Sequence, residues 1–134
     1  MVCIYCSKNT RVANSRIQKR QNSVWRRRVC DNCTATVTTL EKIQLNTAVV
    51  VTDKNNHQIP FIRDKLFISI LNCLKHRKSS ISDAAGLTDT IISNLCALVT
   101  DGAITRSDII SESLIVLGNF DNVAFVQYKA YHKL

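Results

Sequence analysis

A chain of 134 residues, 46% hydrophobic and with a formal net charge of +8, has room for one ordinary domain or two small ones. No apolar run reaches the roughly 18–20 residues that span a bilayer, and the N-terminus carries no signal-peptide hydrophobic stretch, so the expected location is cytoplasmic and reducing, with no membrane partner. The charge is unevenly placed: residues 1–45 hold nine lysines and arginines against Asp31 and Glu41, a net +7, whereas residues 46–134 hold nine against eight, a net +1.

In chain order the first signal is a pair of C-x-x-C motifs, Cys3/Cys6 and Cys30/Cys33, separated by 23 residues. Two thiolates on one tight turn address a single ion, and two such turns close a tetrahedron around zinc. Disulfides or a redox dithiol are the alternatives, but redox C-x-x-C motifs come singly beside a βαβ pattern, which is not seen here. The four cysteines are therefore expected to bind one structural Zn²⁺. Forty-five residues cannot bury much apolar surface, and at that size a metal commonly substitutes for a core.

Val2, Val12, Val24, Val29 and Val37 alternate with polar positions, and Thr34 to Thr39 is rich in threonine, so short β-strands are predicted between the cysteine pairs and after them. The polar, basic stretch Ser15–Ser23 reads as a mobile loop. Arg26-Arg27-Arg28 runs into the second cysteine pair; in a strand, Arg26 and Arg28 face one side and Arg27 the other, with Trp25 alongside for stacking. A net +7 on so short a segment points to a polyanion. Nucleic acid fits better than a membrane surface, because no amphipathic basic helix accompanies the charge.

The composition changes after residue 45. Val49-Val50-Val51 and Gln58–Phe61, joined by the turn-forming Asp53–His57, predict a hairpin, and Pro60 marks the entry to helices. Leu66, Ile70, Leu71 and Leu74 predict a helix over Arg63–His76. A second helix is predicted from a Ser82 cap to Asp101-Gly102, a third from a Ser107 cap to Gly118-Asn119, and a last one opening at Asp121. Cys73 and Cys96, and the aromatic pair Phe125 and Tyr128, are expected to pack in the core. The predicted fold is α+β: a small β zinc ribbon over residues 1–45, then a mainly helical domain with a short β-hairpin over residues 46–134.

Catalysis is not expected. No P-loop pattern exists, three glycines cannot build a phosphate cradle of that kind, the three histidines lack a metal-hydrolase spacing, and four thiolates leave zinc no open position.

The order Cys3-x-x-Cys6, Asn14-Ser15-Arg16, Ser23, Arg26-Arg27-Arg28, Cys30-x-x-Cys33, Thr38-Thr39-Leu40-Glu41, the valine run, Pro60-Phe61, Asp64-Lys65-Leu66 and Asp121–Val126 resembles the NrdR family, bacterial repressors of ribonucleotide reductase genes. The resemblance implies a DNA-binding zinc ribbon followed by an ATP-cone that senses ATP and dATP and changes oligomeric state. It makes Cys3, Cys6, Cys30 and Cys33 the metal ligands and Arg16, Arg26, Arg27 and Arg28 the contacts to double-stranded operator DNA. It places Val50, Val51, Lys54, Phe61 and Lys65 at the nucleotide. It further implies a homo-oligomer associated with the bacterial nucleoid. Trp25 stands where the family carries a fourth arginine, and Thr52–Asn56 replaces a lysine followed by a glycine turn. An alternative is thus a DNA-binding regulator whose cone serves only oligomerisation; a ribbon that binds RNA or polymerase is a further one.

Overall fold

The computed structural model describes residues 1–133. The chain divides into two compact units, Met1–Ile43 and the segment from Gln44 onward. Both strands and helices are present, as the α+β expectation requires.

In the first unit, β1 (Thr10–Gln18), β2 (Ser23–Cys30) and β3 (Thr36–Lys42) form an antiparallel sheet in the order β1-β2-β3. The predicted mobile loop is largely strand. β1 runs to Gln18, and a single 3₁₀ turn, Lys19–Gln21, followed by Asn22 at φ 44° reverses the chain into Ser23. A β-bulge interrupts the β1–β2 register between Val12 and Asn14. Among the described residues of this unit only Cys3, Ser23 and Cys30 are buried. The sheet is one layer thick and has no apolar interior of its own.

The second unit opens with a turn of helix that the sequence did not announce, α1 (Leu45–Ala48), before the hairpin β4 (Val50–Thr52) and β5 (Gln58–Pro60). Four helices follow: α2 (Arg63–Cys73), α3 (Ser80–Cys96), α4 (Arg106–Phe120) and α5 (Asn122–Tyr131). Strand β6 (Ala103–Thr105), also unpredicted, returns from α3 and pairs parallel to β4, giving the order β5-β4-β6. Three residues carry too little pattern to be read as a strand, and the pairing depends on residues fifty positions away. The core joins Phe61, Ile70, Leu74, Ile91, Leu95, Ile104, Leu117 and Tyr128, so the stripes read for α2, α3 and α4 face inward except at Leu98. The stripe read for α5, Val123, Val126 and Ala130, is exposed, because that helix packs through Ala124 and Tyr128 instead, and of the two cysteines expected in the core Cys73 is buried while Cys96 is exposed.

Helix ends differ from expectation in instructive ways. The Ser82 cap lies inside the first turn of α3; the chain enters that helix from Ser79, whose hydroxyl meets Asp83 at 2.6 Å. Thr105, not Ser107, caps α4, in a reciprocal capping box with Asp108. Gly118 does not stop α4. A methyl group there would lie 3.4 Å from the Phe125 ring, so the glycine permits close packing of α5.

Asp121 does open α5, accepting the Val123 and Ala124 N–H groups at 2.9 and 3.0 Å. His76 and Arg77, from beyond the end of α2, both reach the same carboxylate at 3.1 Å, and Arg77 also binds Asp83. The Ala124 N–H, followed by His76 and Arg77, holds the Asp121 carboxyl down to about 2, against an ordinary value of 3.8. Because the folded value lies below the unfolded one, the stabilisation is complete above about pH 4 and is lost as pH falls toward 2. Asp121→Asn should accordingly lower the urea midpoint of this unit at pH 7 and flatten its dependence on pH between about 4 and 2. Parallel wild-type and mutant midpoints across that window would contradict the assignment.

Candidate functional site

The two cysteine knuckles share one backbone form. In each, the residue after the second cysteine donates its N–H to the carbonyl of the first: Ser7 to Cys3 and Thr34 to Cys30, both at 2.9 Å. The first cysteine in turn donates to a carbonyl five residues on, Cys3 to Lys8 at 2.7 Å and Cys30 to Ala35 at 3.0 Å. Ser7 and Thr34 both occupy the left-handed region, at φ 57° and 60°, where glycine is the ordinary choice. This repeated turn brings both sulfurs of each C-x-x-C to a common centre.

All four Sγ atoms lie within 4.8 Å of one another. Cys3 meets Cys33 at 3.6 Å and Cys6 meets Cys30 at 3.4 Å, one cysteine from each knuckle in both contacts. A zinc tetrahedron with Zn–S bonds of about 2.3 Å has sulfur–sulfur edges of about 3.8 Å, whereas a disulfide needs about 2.05 Å. All six cysteines of the chain are free thiols. Backbone N–H groups favour ionisation: those of Cys33 and Asn32 draw the Cys30 thiol down to about 7 despite burial, and those of Tyr5 and Cys6 lower Cys3. At Cys33 the Ala35 N–H pulls downward most strongly, yet crowding by Cys6, Cys3 and Cys30 together with burial pushes it up to about 12. Four thiols at this range do not all ionise unless a cation neutralises them. The donor set fits a structural zinc ion, with no coordination position left over for chemistry.

Outside the cysteine cluster, the sheet offers two unlike faces, because directly paired residues share a side. Arg27 pairs with Asn14 and Thr38, and Trp25 with Arg16 and Leu40. Arg11 joins them opposite Val29, and Lys42 opposite Ser23. The strand residues of this face include Arg11, Arg16, Arg27 and Lys42 and no carboxylate; the Arg16 guanidinium carbon lies 5.9 Å from the centre of the Trp25 ring. The bulge is what puts Arg11 there, since three positions separate it from Asn14 and strict alternation would oppose the two. The other face carries Val12, Arg26, Arg28 and Val37. On it, Arg26 pairs with Glu41 at 3.1 Å, and the Nε atoms of Arg26 and Arg28 are buried without a hydrogen-bond partner.

The second unit contains a cleft of about 340 Å³ between the hairpin and helices α2, α4 and α5. Phe61, Leu66 and Tyr128, all buried, form an apolar floor, extended by Val51, Ile109 and Ile110. Lys65, Arg106 and His57 stand at the exposed rim. Asp53 also lines the cleft, but its carboxylate is engaged by the Asn55 and His57 N–H groups at 2.7 and 3.0 Å and by the His57 ring at 3.3 Å. Among the described residues no helix is long and apolar enough to cross a membrane.

A family model described as "Transcriptional repressor NrdR-like, N-terminal domain" matches residues 1–41. Over nearly the whole chain the sequence is similar to proteins named "Transcriptional repressor NrdR". The one from Bradyrhizobium diazoefficiens is 32% identical over 136 residues, covering 99% of this chain and 82% of the relative. The one from Sinorhizobium medicae is 31% identical over 134 residues, covering 99% and 84%. The chain belongs to the NrdR family. A more distant member, from Ligilactobacillus salivarius, is 29% identical over 135 residues with the same shares covered.

Measured against the residues that NrdR membership implies, the structure gathers the four cysteines into one cluster. It divides the arginines: Arg16 and Arg27 share a face, while Arg26 and Arg28 lie on the reverse. In the second unit, Val51, Phe61 and Lys65 line one cleft, whereas Val50 and Lys54 are not among its lining residues. Sequence reading missed Asn14, Thr38, Arg11 and Lys42 as companions of Arg27, and Arg106, His57 and His132 as cleft residues. Arg11 and Lys42 were legible only as charge. Arg106 follows β6 directly, so its place depended on a strand the pattern did not reveal.

Proposed function

We propose that this chain is a zinc-dependent transcriptional repressor that binds double-stranded operator DNA of ribonucleotide reductase genes. In this reading the ribbon of residues 1–45 is the DNA-binding domain and residues 46–134 sense ATP and dATP and carry homo-oligomerisation. Such a repressor works in the bacterial cytoplasm, on the nucleoid.

The observation that carries the reading is the Arg27 face of the ribbon, where Arg16, Arg27, Lys42, Asn14, Thr38 and the half-buried Trp25 ring share one sheet surface, with Arg11 at its end held by Asp31 at 2.7 Å. Phosphate oxygens suit the cations, and base edges suit the amide, hydroxyl and guanidinium groups. Arg26 and Arg28 would support binding from the reverse side or order the sheet. In the second unit, the apolar floor and cationic rim of the cleft have the chemistry of a flat base joined to phosphates, and its volume falls in the range of small-molecule sites, about 300–1,000 Å³.

One observation favours the narrower reading, a cone used only for assembly: Lys54 does not line the cleft. Binding to a reductase promoter fragment, measured with ATP, dATP, both and neither, separates the two. A sensor must bind one assembly more tightly than another, so operator affinity and oligomer size should change with the nucleotide. Operator binding indifferent to nucleotide selects the narrower reading, and absence of specific operator binding refutes both.

A further inference from the structure

Two apolar side chains at the centre of the Arg27 face stand among groups suited to phosphates and polar base edges. Trp25, half-buried on β2, is paired with Leu40 on β3 and with Arg16 on β1, so the three stand abreast in one row of the sheet. The adjoining row of the same face is Arg27 with Asn14 and Thr38. β3 alternates so that Thr36, Thr38 and Leu40 are exposed, Leu40 to 50%, while Val37 and Thr39 on the reverse are half-buried. The Arg16 guanidinium lies 5.9 Å from the centre of the Trp25 ring, which ties the cation of this row to its aromatic member. The ribbon has no apolar interior for the pair to join, so Leu40 and part of the Trp25 ring face water.

Duplex DNA presents one apolar group among its base edges, the 5-methyl of thymine in the major groove. Resting on the DNA reading above, we infer that Trp25 and Leu40 form an apolar subsite for a thymine methyl group. The Arg27 row then reads polar base edges about two base pairs away. The spacing follows from the sheet: residues two apart on a strand are separated by about 6.8 Å, twice the 3.4 Å rise of a base pair, for strands laid along the groove. Three strands about 4.8 Å apart span roughly 10 Å, which the major groove, about 12 Å wide, accommodates. A G·C pair suits this row poorly, because Leu40 would cover hydrogen-bonding groups it cannot satisfy. Arg16, held beside the ring, meets the phosphate next to the thymine, so one row joins a contact that reads sequence to one that does not.

The test uses the full-length zinc-loaded protein and a duplex selected by it from a random-sequence pool. The duplex is resynthesised with each thymine in turn replaced by deoxyuridine, which removes the methyl group and keeps the base pairing. Fluorescence anisotropy should find wild-type binding weakened roughly threefold to tenfold at one or two positions per half-site, the loss expected for one methyl group left in water. Leu40→Ala and Trp25→Arg should each bind thymine and uracil alike at those positions. Arg27→Ala should relax base preference about two base pairs from them. Leu40 is exposed, so circular dichroism should find Leu40→Ala folded. Three results overturn this inference and leave the DNA reading intact: specific binding that no uracil replacement weakens, a thymine–uracil difference that persists in both Leu40→Ala and Trp25→Arg, or an Arg27→Ala effect confined to the methyl-sensitive pair. A protein that selects no sequence overturns the DNA reading, and this inference with it.

Discussion

Stripping the metal is expected to unfold the ribbon while the helical unit keeps its secondary structure. The first unit buries only Cys3, Ser23 and Cys30, so little apolar burial remains once the sulfurs lose their common partner. Structural zinc supplies about 10–16 kcal/mol in zinc-finger peptides, as much as the entire stability of an ordinary domain, about 5–15 kcal/mol. The helical unit has its own core around Ile70, Ile91, Leu117 and Tyr128 and needs no such support. Metal analysis should return one zinc per chain. On chelation, amide resonances of residues 1–43 should collapse toward random-coil positions while those of α2 to α5 persist. Cys30→Ser, which removes one of four ligands, should reproduce the apo spectrum. Purified protein with almost no zinc and a dispersed ribbon spectrum would show that the cysteines do something else.

DNA binding should weaken steeply with salt and depend on Arg27 more than on Arg26. Four to six phosphate contacts per ribbon give a log–log slope of about −4 to −5. Arg27 is exposed on the face that also holds Arg11, Arg16 and Lys42, while Arg26 is half-buried on the reverse and tied to Glu41. Arg27→Ala should cost about 1–3 kcal/mol of specific affinity and relax discrimination at one base position if the residue reads a base; at a phosphate it should flatten the salt slope by about one. Arg16→Ala and Lys42→Ala should change the slope rather than the preferred sequence. Fluorescence anisotropy across a salt series distinguishes these outcomes. Binding that Arg26→Ala abolishes and Arg27→Ala leaves untouched would place DNA on the opposite face.

The zinc cluster was the most legible part of the molecule. C-x-x-C spacing fixes which atoms can meet, and a tetrahedron tolerates a wide range of linkers, so Cys3, Cys6, Cys30 and Cys33 needed no knowledge of the intervening strands. The helices were nearly as clear, since Leu66, Ile70, Ile91 and Leu117 repeat at helical spacing and all four are buried. Their ends were less so: Thr105 and Ser107 are both respectable caps, and only the reciprocal bond to Asp108 distinguishes them. What could not be read was non-local. The bulge beside Val12 changes which side Arg11 faces, and no local residue preference announces it. β6 exists because β4 offers a free edge, and Arg106 reaches the cleft through β6. Each of these is a property of a pairing, not of a segment.

A sheet held by metal rather than by an interior leaves its surface chemically free to change. In a domain with a packed core, half of every strand is committed to that core, and a substitution there typically costs about 1 kcal/mol or more. In this ribbon neither face carries that obligation: Arg16, Trp25 and Leu40 stand side by side on one of them, and none of the three is buried. If the Arg27 face binds operator DNA as proposed, its preference can change by single replacements on β1, β2 and β3 while the fold stays constant. The folding requirement rests chiefly on the four cysteines and the two left-handed turns at Ser7 and Thr34, which leaves most strand positions of the ribbon free to set its surface chemistry.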